Sequence, residues 1–157
     1  MTTVGDVMTK APMTIDPQAP LGTAVAVMRE RGLRHLPVVD DAGQLLGVVT
    51  DRDLRGAAFA PALAEYLPDE ARGRLRGLAT ALDDVRVRDV MTWGAMTIGP
   101  GAPVAQAAAV MTTARIGCLP VIDGGRLVGI VTEHDALKAV AAALPAVRGA
   151  DPDTYFW

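Results

Sequence analysis

Two short segments of the sequence carry side chains that could bind a nucleotide. Residues 47–53 read Gly-Val-Val-Thr-Asp-Arg-Asp, and residues 129–135 read Gly-Ile-Val-Thr-Glu-His-Asp. In both, an aspartate follows a threonine by three residues, which is the spacing of a capping box at a helix start. A helix start also presents N–H groups and a positive dipole end to a phosphate. The threonine hydroxyl could bind that phosphate, and the carboxylate could accept hydrogen bonds from two ribose hydroxyls.

Basic side chains accompany the first of these segments. Arg34 and His35 precede an apolar run, and Arg52 lies inside the Thr-x-x-Asp box. Arginine offers a planar set of donors that suits phosphate. Because the second segment lacks guanidinium groups at the matching positions, we expect more phosphate charge at the first segment. Two simpler readings stay open: helix capping explains the Thr-Asp pairs, and the arginines can be solvated surface residues.

The chain repeats itself. Val-Gly-Asp-Val-Met-Thr at residues 4–9 returns as Val-Arg-Asp-Val-Met-Thr, and Leu-Pro-Val-Val-Asp at residues 36–40 returns as Leu-Pro-Val-Ile-Asp, both 83 residues later. Residues 47–50 return after only 82 residues, because one residue is missing from the turn before them. A length change confined to a turn indicates two copies of one folding unit.

Each copy predicts a helix, a two-stranded hairpin and a second helix. Leu21, Ala24 and Met28 recur at helical spacing, and Gly32 follows as a stop signal. The apolar runs at 35–39 and 45–50 predict a hairpin. The second copy predicts a helix near 104–113 and strands near 118–122 and 127–132. A short extended piece, at 14–15 and again at 97–98, precedes each first helix.

The segments outside the repeats carry less information. Leucines at helical spacing between residues 54 and 84 predict packing helices, and the tail after residue 144 predicts a loop. The tail ends in Tyr155, Phe156 and Trp157, which we expect to dock on the protein or on a partner chain. The predicted domains are residues 1–56 (first copy), 57–84 (insert), 85–144 (second copy) and 145–157 (tail).

Composition excludes several classes of protein. With 157 residues, 50% of them hydrophobic, the chain suits one compact domain or two small packed halves and is not disordered. A net charge of −3 disfavours nucleic-acid binding through overall charge. The lone Cys118 predicts a reduced, cytoplasmic setting, and we expect neither a signal peptide nor a membrane span. His35 and His134 have no nucleophile or metal-ligand partners at usable spacing, so we expect no enzyme and no metal site.

Four motifs, present in order and twice, resemble a tandem pair of cystathionine-β-synthase-type (CBS) domains, also called a Bateman module. They are Asp-Val-Met-Thr, Met-Thr-Ile, Leu-Pro-Val-Val-Asp and Gly-Val-Val-Thr-x-x-Asp. The resemblance extends from residue 4 to about residue 140, apart from the insert. It implies an α/β (α+β) fold of two β-α-β-β-α repeats, packed through their sheets about a pseudo-twofold axis. It also implies two clefts between the copies for adenosine-containing ligands.

The resemblance further implies which residues bind. Asp53 and Asp135 would contact the two riboses, and Thr50 and Thr132 the phosphates. The remaining implied residues are Arg34, His35, Arg52, Thr97, Ile98, Gly117 and Cys118 in the first cleft, then His134, Thr14, Ile15 and the 34–35 stretch in the second, with Pro37 and Pro120 on the strands. Related modules often have a more polar pair than Gly117 and Cys118, which weakens the case for phosphate in the second cleft.

The function implied is that of a stand-alone regulatory module. It would bind AMP, ADP or ATP, with S-adenosylmethionine or NAD as further possibilities, require no cofactor, form a homodimer, and pass its state to a separate effector protein. A ligand that touches both halves would stabilise the arrangement in which both reach it. Two alternatives stay open. One is a constitutive dimerisation scaffold with vestigial clefts, and the other is a nucleic-acid-binding module, which the arginines at 72, 74 and 76 would favour. Trp93, opposite Lys10 in the repeat, would line a cleft, cover a dimer face or pack in the core.

Overall fold

The computed structural model describes residues 1–55 and 85–144, and the predicted packing helices, the arginines at 72–76 and the aromatic tail lie outside these ranges. The predicted helix, hairpin and second helix are confirmed in both copies. In chain order the elements are α1 (Val4–Val7), β1 (Thr9–Lys10), α2 (Leu21–Arg31), β2 (His35–Val39), β3 (Leu45–Thr50), α3 (described over residues 51–55), α4 (Val87–Val90), β4 (Thr92–Trp93), α5 (Val104–Ala114), β5 (Cys118–Asp123), β6 (Arg126–Thr132) and α6 (Glu133–Ala143).

The strands form two three-stranded sheets, and each sheet combines strands from both repeats. One sheet has the order β2-β3-β4 and the other the order β1-β6-β5. Thr9 of β1 therefore pairs with Ile130 of the second hairpin, and Thr92 of β4 pairs with Val48 of the first. The short helices α1 and α4, which precede β1 and β4, likewise pack in the half of the molecule formed by the other repeat. Val4 is fully buried in the core of the second half and Val87 in the core of the first.

Two glycines make the exchange sterically possible. A Cβ on Gly47 would overlap the carbonyl oxygen of Thr92, and a Cβ on Gly129 would overlap the Met8 sulfur. Backbone also comes close at Gly129, because a Cβ there would lie 3.1 Å from the Thr9 carbonyl oxygen. The exchanged strands thus cross the hairpins where a side chain has no room. This explains why glycine opens both Gly-x-Val-Thr motifs.

The exchanged segments, meaning the stretches that contain α1 with β1 and α4 with β4, also complete the starts of helices α2 and α5. The first N–H of α2, at Leu21, donates to the Val85 carbonyl oxygen at 2.8 Å. The first N–H of α5, at Val104, donates to the Thr2 carbonyl oxygen at 3.1 Å. Neither helix begins with a side-chain cap, since proline occupies both cap positions. Backbone from the other repeat therefore satisfies donors that a helix start leaves open.

The helix ends and the extended pieces follow the predictions. Gly32 ends α2 in the left-handed region at φ 63°, as its stop signal predicts. At the equivalent end of α5, Arg115 takes the same conformation at φ 55°. The predicted extended pieces form isolated parallel bridges, Ile15 with Val38 and Ile98 with Val121.

The two halves meet through their sheets, as the family resemblance implies. Val48 of the first sheet packs with Cys118 and Ile130 of the second in a small buried cluster. Each half also has its own core beneath its helices. Trp93 does not pack in the core: the residue is 56% exposed, and its indole N–H donates to the Arg88 carbonyl oxygen at 3.1 Å. A cleft wall and a dimer face stay predictions for this residue.

Candidate functional site

Both Thr-x-x-Asp motifs fold as capping boxes with nearly the same geometry. The N–H and the hydroxyl of Thr50 donate to Asp53 Oδ2 at 2.8 and 2.9 Å. The corresponding distances from Thr132 to Asp135 are 2.9 and 2.8 Å. In both boxes the aspartate N–H donates back to the threonine Oγ1 at 3.4 Å. The local reason is the sequence order, in which a strand ends at a residue whose oxygen reaches the third amide of the next helix.

Capping leaves only part of each helix start open to a ligand. The Asp51 N–H donates to the Arg34 carbonyl oxygen at 2.8 Å, and the Glu133 N–H donates to the Gly117 carbonyl oxygen at 3.1 Å. Within the described residues, the amides of Arg52 and His134 and the Oδ1 atoms of the two cap aspartates have no protein partner. Each box thus keeps one N–H for an anion and one carboxylate oxygen for a hydroxyl donor.

Charged groups of both halves converge on His35. A Cβ added to Gly117 would lie 2.9 Å from His35 Nε2 and 3.9 Å from Glu133 Oε2, so the imidazole of one half faces the helix start of the other. Burial lowers the pKa of His35 from its ordinary value, and the carboxylates of Asp51 and Glu133 oppose that effect. The structure therefore brings the Arg34-His35 pair to Gly117, which lies 82 residues beyond His35 in the sequence.

The carboxylate at the start of α3 has a cation of its own. Arg55 Nη2 lies 2.8 Å from Asp51 Oδ2, one helical turn away. Partial burial disfavours the charged form of Asp51, but the Arg55 hydrogen bond and charge prevail, so the pKa of Asp51 is lowered. The position equivalent to Arg55 in α6 is Leu137, which is 67% exposed. The two helix starts thus share their geometry and differ in their charge.

Several predicted binding residues are part of the packing. The side chains of Ile15 and Ile98 belong to the two cores, and their N–H groups donate to the carbonyl oxygens of Pro37 and Pro120 at 3.0 and 3.1 Å. Both prolines are fully buried. Cys118 is buried between the sheets, and burial, with a smaller contribution from Glu133, raises the pKa of its thiol to about 12. A thiol with so high a pKa is protonated near neutral pH and is therefore a poor nucleophile.

Thr97, another predicted binding residue, lies near the end of β3 that is remote from the first capping box. Thr97 lines a cavity of about 230 Å³ together with Leu45, Gly94, Ile122 and neighbouring residues. Leu45 begins β3 and Thr50 ends it, so the cavity lies roughly 17 Å along the strand from the first capping box, at about 3.3 Å per residue. Thr14 and Thr97 are both exposed. The assignment of Thr14 and Thr97 to the clefts stays a prediction.

A second cavity was missed by sequence reasoning. It measures about 430 Å³ and lies beside Asp135, where Thr2 and Val7 of the exchanged segment face Lys138 and the alanines of α6. No spacing along the chain predicts it, because its walls come from opposite ends of the sequence. In the described ranges no group of three metal-ligating side chains occurs, and no helix is long and apolar enough to cross a membrane.

Comparison with known proteins decides the family. The family model for the CBS domain matches residues 4–60 and 87–142. The chain belongs to the CBS domain family. A CBS domain-containing protein of Dictyostelium discoideum is 36% identical over 145 residues, which cover 92% of this chain and 94% of that protein. Several other relatives carry enzyme names, and this CBS chain spans only 14% to 33% of their length.

Solved structures of CBS pairs have the same fold. CBSX2 in complex with AMP superposes with a TM-score of 0.71 at 27% identity, covering 91% of this chain and 98% of that one. The CBS domain pair of protein MJ0100, in complex with 5-methylthioadenosine and S-adenosyl-L-methionine, gives 0.72 at 26% identity, with 92% and 99% covered. The tandem CBS fold inferred from the repeated motifs is therefore confirmed.

Proposed function

We propose that this CBS pair is a regulatory module, not an enzyme, that binds adenosine-containing ligands between its two halves. The observation that carries the proposal is the pair of matching capping boxes, each with an amide and a carboxylate oxygen that have no partner among residues 1–55 and 85–144. A ribose has two neighbouring hydroxyls that can donate to such an oxygen, and a phosphate suits the amide. Similar CBS pairs were solved with AMP and with sulfur-containing adenosine compounds.

Binding would act on the contact between the halves. His35 of the first half approaches Gly117 and Glu133 of the second, so a ligand held at either helix start changes the charge that this contact experiences. A ligand shifts a conformational equilibrium only by its difference in affinity for the two states. A compound that contacts both halves favours their closed packing, and a separate effector protein, or a second copy of this chain, would read the altered surface.

Titration calorimetry of the full chain with AMP, ATP and S-adenosylmethionine tests the proposal. We expect saturable binding of at least one of them. A bound ligand also stabilises the fold, by about 2.7 kcal/mol when its concentration is 100 times its Kd, so the melting temperature rises with ligand concentration.

Conservative variants separate binding from capping. Asp53→Asn and Asp135→Asn keep an oxygen that can accept the capping bonds but remove the carboxylate offered to the ribose. We expect each to weaken binding in its own cleft while the unfolding transition stays nearly unchanged. If none of the three ligands binds at millimolar concentration, the proposal is wrong and a constitutive scaffold is the better reading. Salt-sensitive binding of single-stranded DNA or RNA instead would favour the nucleic-acid reading.

A further inference from the structure

The two capping boxes are equivalent in geometry but opposite in charge. The equivalence extends from the boxes to the preceding strand, since the first amides of α3 and α6 both donate to the residue before β2 or β5. At six equivalent positions the first half has three arginines, one histidine and two aspartates, whereas the second half has one glutamate, one aspartate and one histidine. These residues are, in order, Arg34, His35, Asp51, Arg52, Asp53 and Arg55, and Gly117, Cys118, Glu133, His134, Asp135 and Leu137.

The ion pair between Asp51 and Arg55 increases the difference in charge between the two helix starts. Asp51 pairs with Arg55 at 2.8 Å, so the first helix start presents Arg34 and Arg52 as cations without an opposing charge in the described ion pairs. Glu133 has no ion pair among the described residues, and its Oε2 is directed toward the space at Gly117. Lys138 lines the cavity beside Asp135, together with Thr2 and Val7. An anion at the second box therefore meets Glu133, whose carboxylate no described ion pair neutralises, whereas the first box offers Arg34 and Arg52.

We infer that the charge on the 5′ group of the ligand decides which cleft it occupies. An adenosine compound with a 5′ phosphate binds at Thr50 and Asp53, and an adenosine compound without negative charge binds at Thr132 and Asp135. The inference rests on the proposed function, because it divides the two proposed clefts between two kinds of ligand. Electrostatics of this kind acts chiefly as specificity: a like charge beside the ligand disfavours the wrong compound.

Two probes that differ only at the 5′ position test the inference. AMP carries a phosphate there, and 5′-methylthioadenosine carries a neutral thioether. Calorimetry of the full chain should show one AMP per chain, weakened by Asp53→Asn and not by Asp135→Asn. The thioether compound should show the reverse dependence. Raising the salt concentration should weaken AMP binding and leave the thioether compound nearly unaffected.

Charge variants make the test independent of the ribose contact. Arg52→Ala should weaken AMP binding about three- to tenfold, because exposed charges act through water and salt. Arg29→Ala removes the same charge from the exposed end of α2 and serves as the matched control, with less than a twofold change expected. His134→Arg combined with Glu133→Gln gives the second box the cation of the first, and we expect the AMP stoichiometry to rise from one to two.

The outcomes distinguish this inference from the proposed function. If neither compound binds, the charge inference is overturned, and the proposed function falls with it only when ATP and S-adenosylmethionine also fail to bind. If both compounds bind and Arg52→Ala weakens AMP no more than Arg29→Ala does, the charge inference alone is overturned. The charge inference is also overturned if AMP binds in both clefts of the unaltered chain, or if Asp53→Asn weakens binding of the thioether compound. Thermal unfolding of each variant shows whether it is folded, and the double variant adds a site instead of removing one, so a folding defect cannot imitate its expected result.

Discussion

A single methyl group at Gly47 tests whether strand β4 crosses the first hairpin. The backbone of Gly47 avoids the left-handed region, so alanine is compatible with its conformation. The added Cβ would overlap the Thr92 carbonyl oxygen, which belongs to the exchanged strand. Because this obstacle is backbone, it can be relieved only by moving the whole strand, including the Gly94 N–H that donates to the Leu46 carbonyl oxygen at 2.9 Å.

The magnitude follows from these contacts. Overpacking a tight site costs about 1–3 kcal/mol, and each backbone hydrogen bond lost with the strand costs about 1 kcal/mol more. Alanine also stiffens the unfolded chain, which offsets about 0.4–1 kcal/mol. We expect Gly47→Ala to lower the free energy of unfolding by about 3 kcal/mol, or the melting temperature by about 6–12 °C. At Gly129 part of the obstacle is the flexible Met8 side chain, so Gly129→Ala should cost less, about 1–2 kcal/mol.

Chemical denaturation followed by circular dichroism measures these differences. Gly99→Ala is the control, because Gly99 also has an ordinary backbone conformation and a Cβ there would meet nothing within 4 Å. It should be neutral or slightly stabilising. If Gly47→Ala proves as stable as Gly99→Ala, strand β4 does not cross at Gly47 and the exchanged arrangement of the sheets is wrong.

Three further results are expected. Arg115→Gly should raise the free energy of unfolding by about 0.5–1 kcal/mol, because glycine adopts the left-handed conformation at φ 55° without strain. Gly32→Ala, at φ 63°, should lower the free energy of unfolding for the same reason. A denaturant titration in which both variants change the free energy of unfolding in the same direction would contradict this. Since burial lowers the folded pKa of His35 below its ordinary value of 6.5, the contribution of His35 to the free energy of unfolding is fully present above pH 6.5 and decreases as the pH falls toward the folded pKa. His35→Gln should flatten that slope in unfolding titrations, and an unchanged slope would exclude His35 as its source. The thiol of Cys118, with its pKa near 12, should react slowly with a disulfide reagent until the chain is denatured, and rapid labelling of the native chain would show that the sheet contact opens.

Features with a local cause could be predicted from the sequence. The capping boxes form where Thr and Asp are three residues apart, because the bonding groups belong to one turn of chain. The end of α2 at Gly32 and the hairpin from His35 to Thr50 follow for the same reason. The sequence left open whether Trp93 packs in the core, since hydrophobicity alone does not show that β4 lies at the edge of a sheet.

The sequence by itself determined that the chain contains two copies of one unit, what elements each copy forms, and that both copies carry a Thr-Asp pair at a helix start. These properties depend on residue types and on spacings of a few residues. Only the tertiary structure decided that β1 and β4 change sides, that Gly47 and Gly129 must lack side chains, and that His35 faces Gly117 and Glu133. Those contacts join residues 45 to 121 positions apart, and no local pattern specifies the partner because it is set by which buried surfaces fit together.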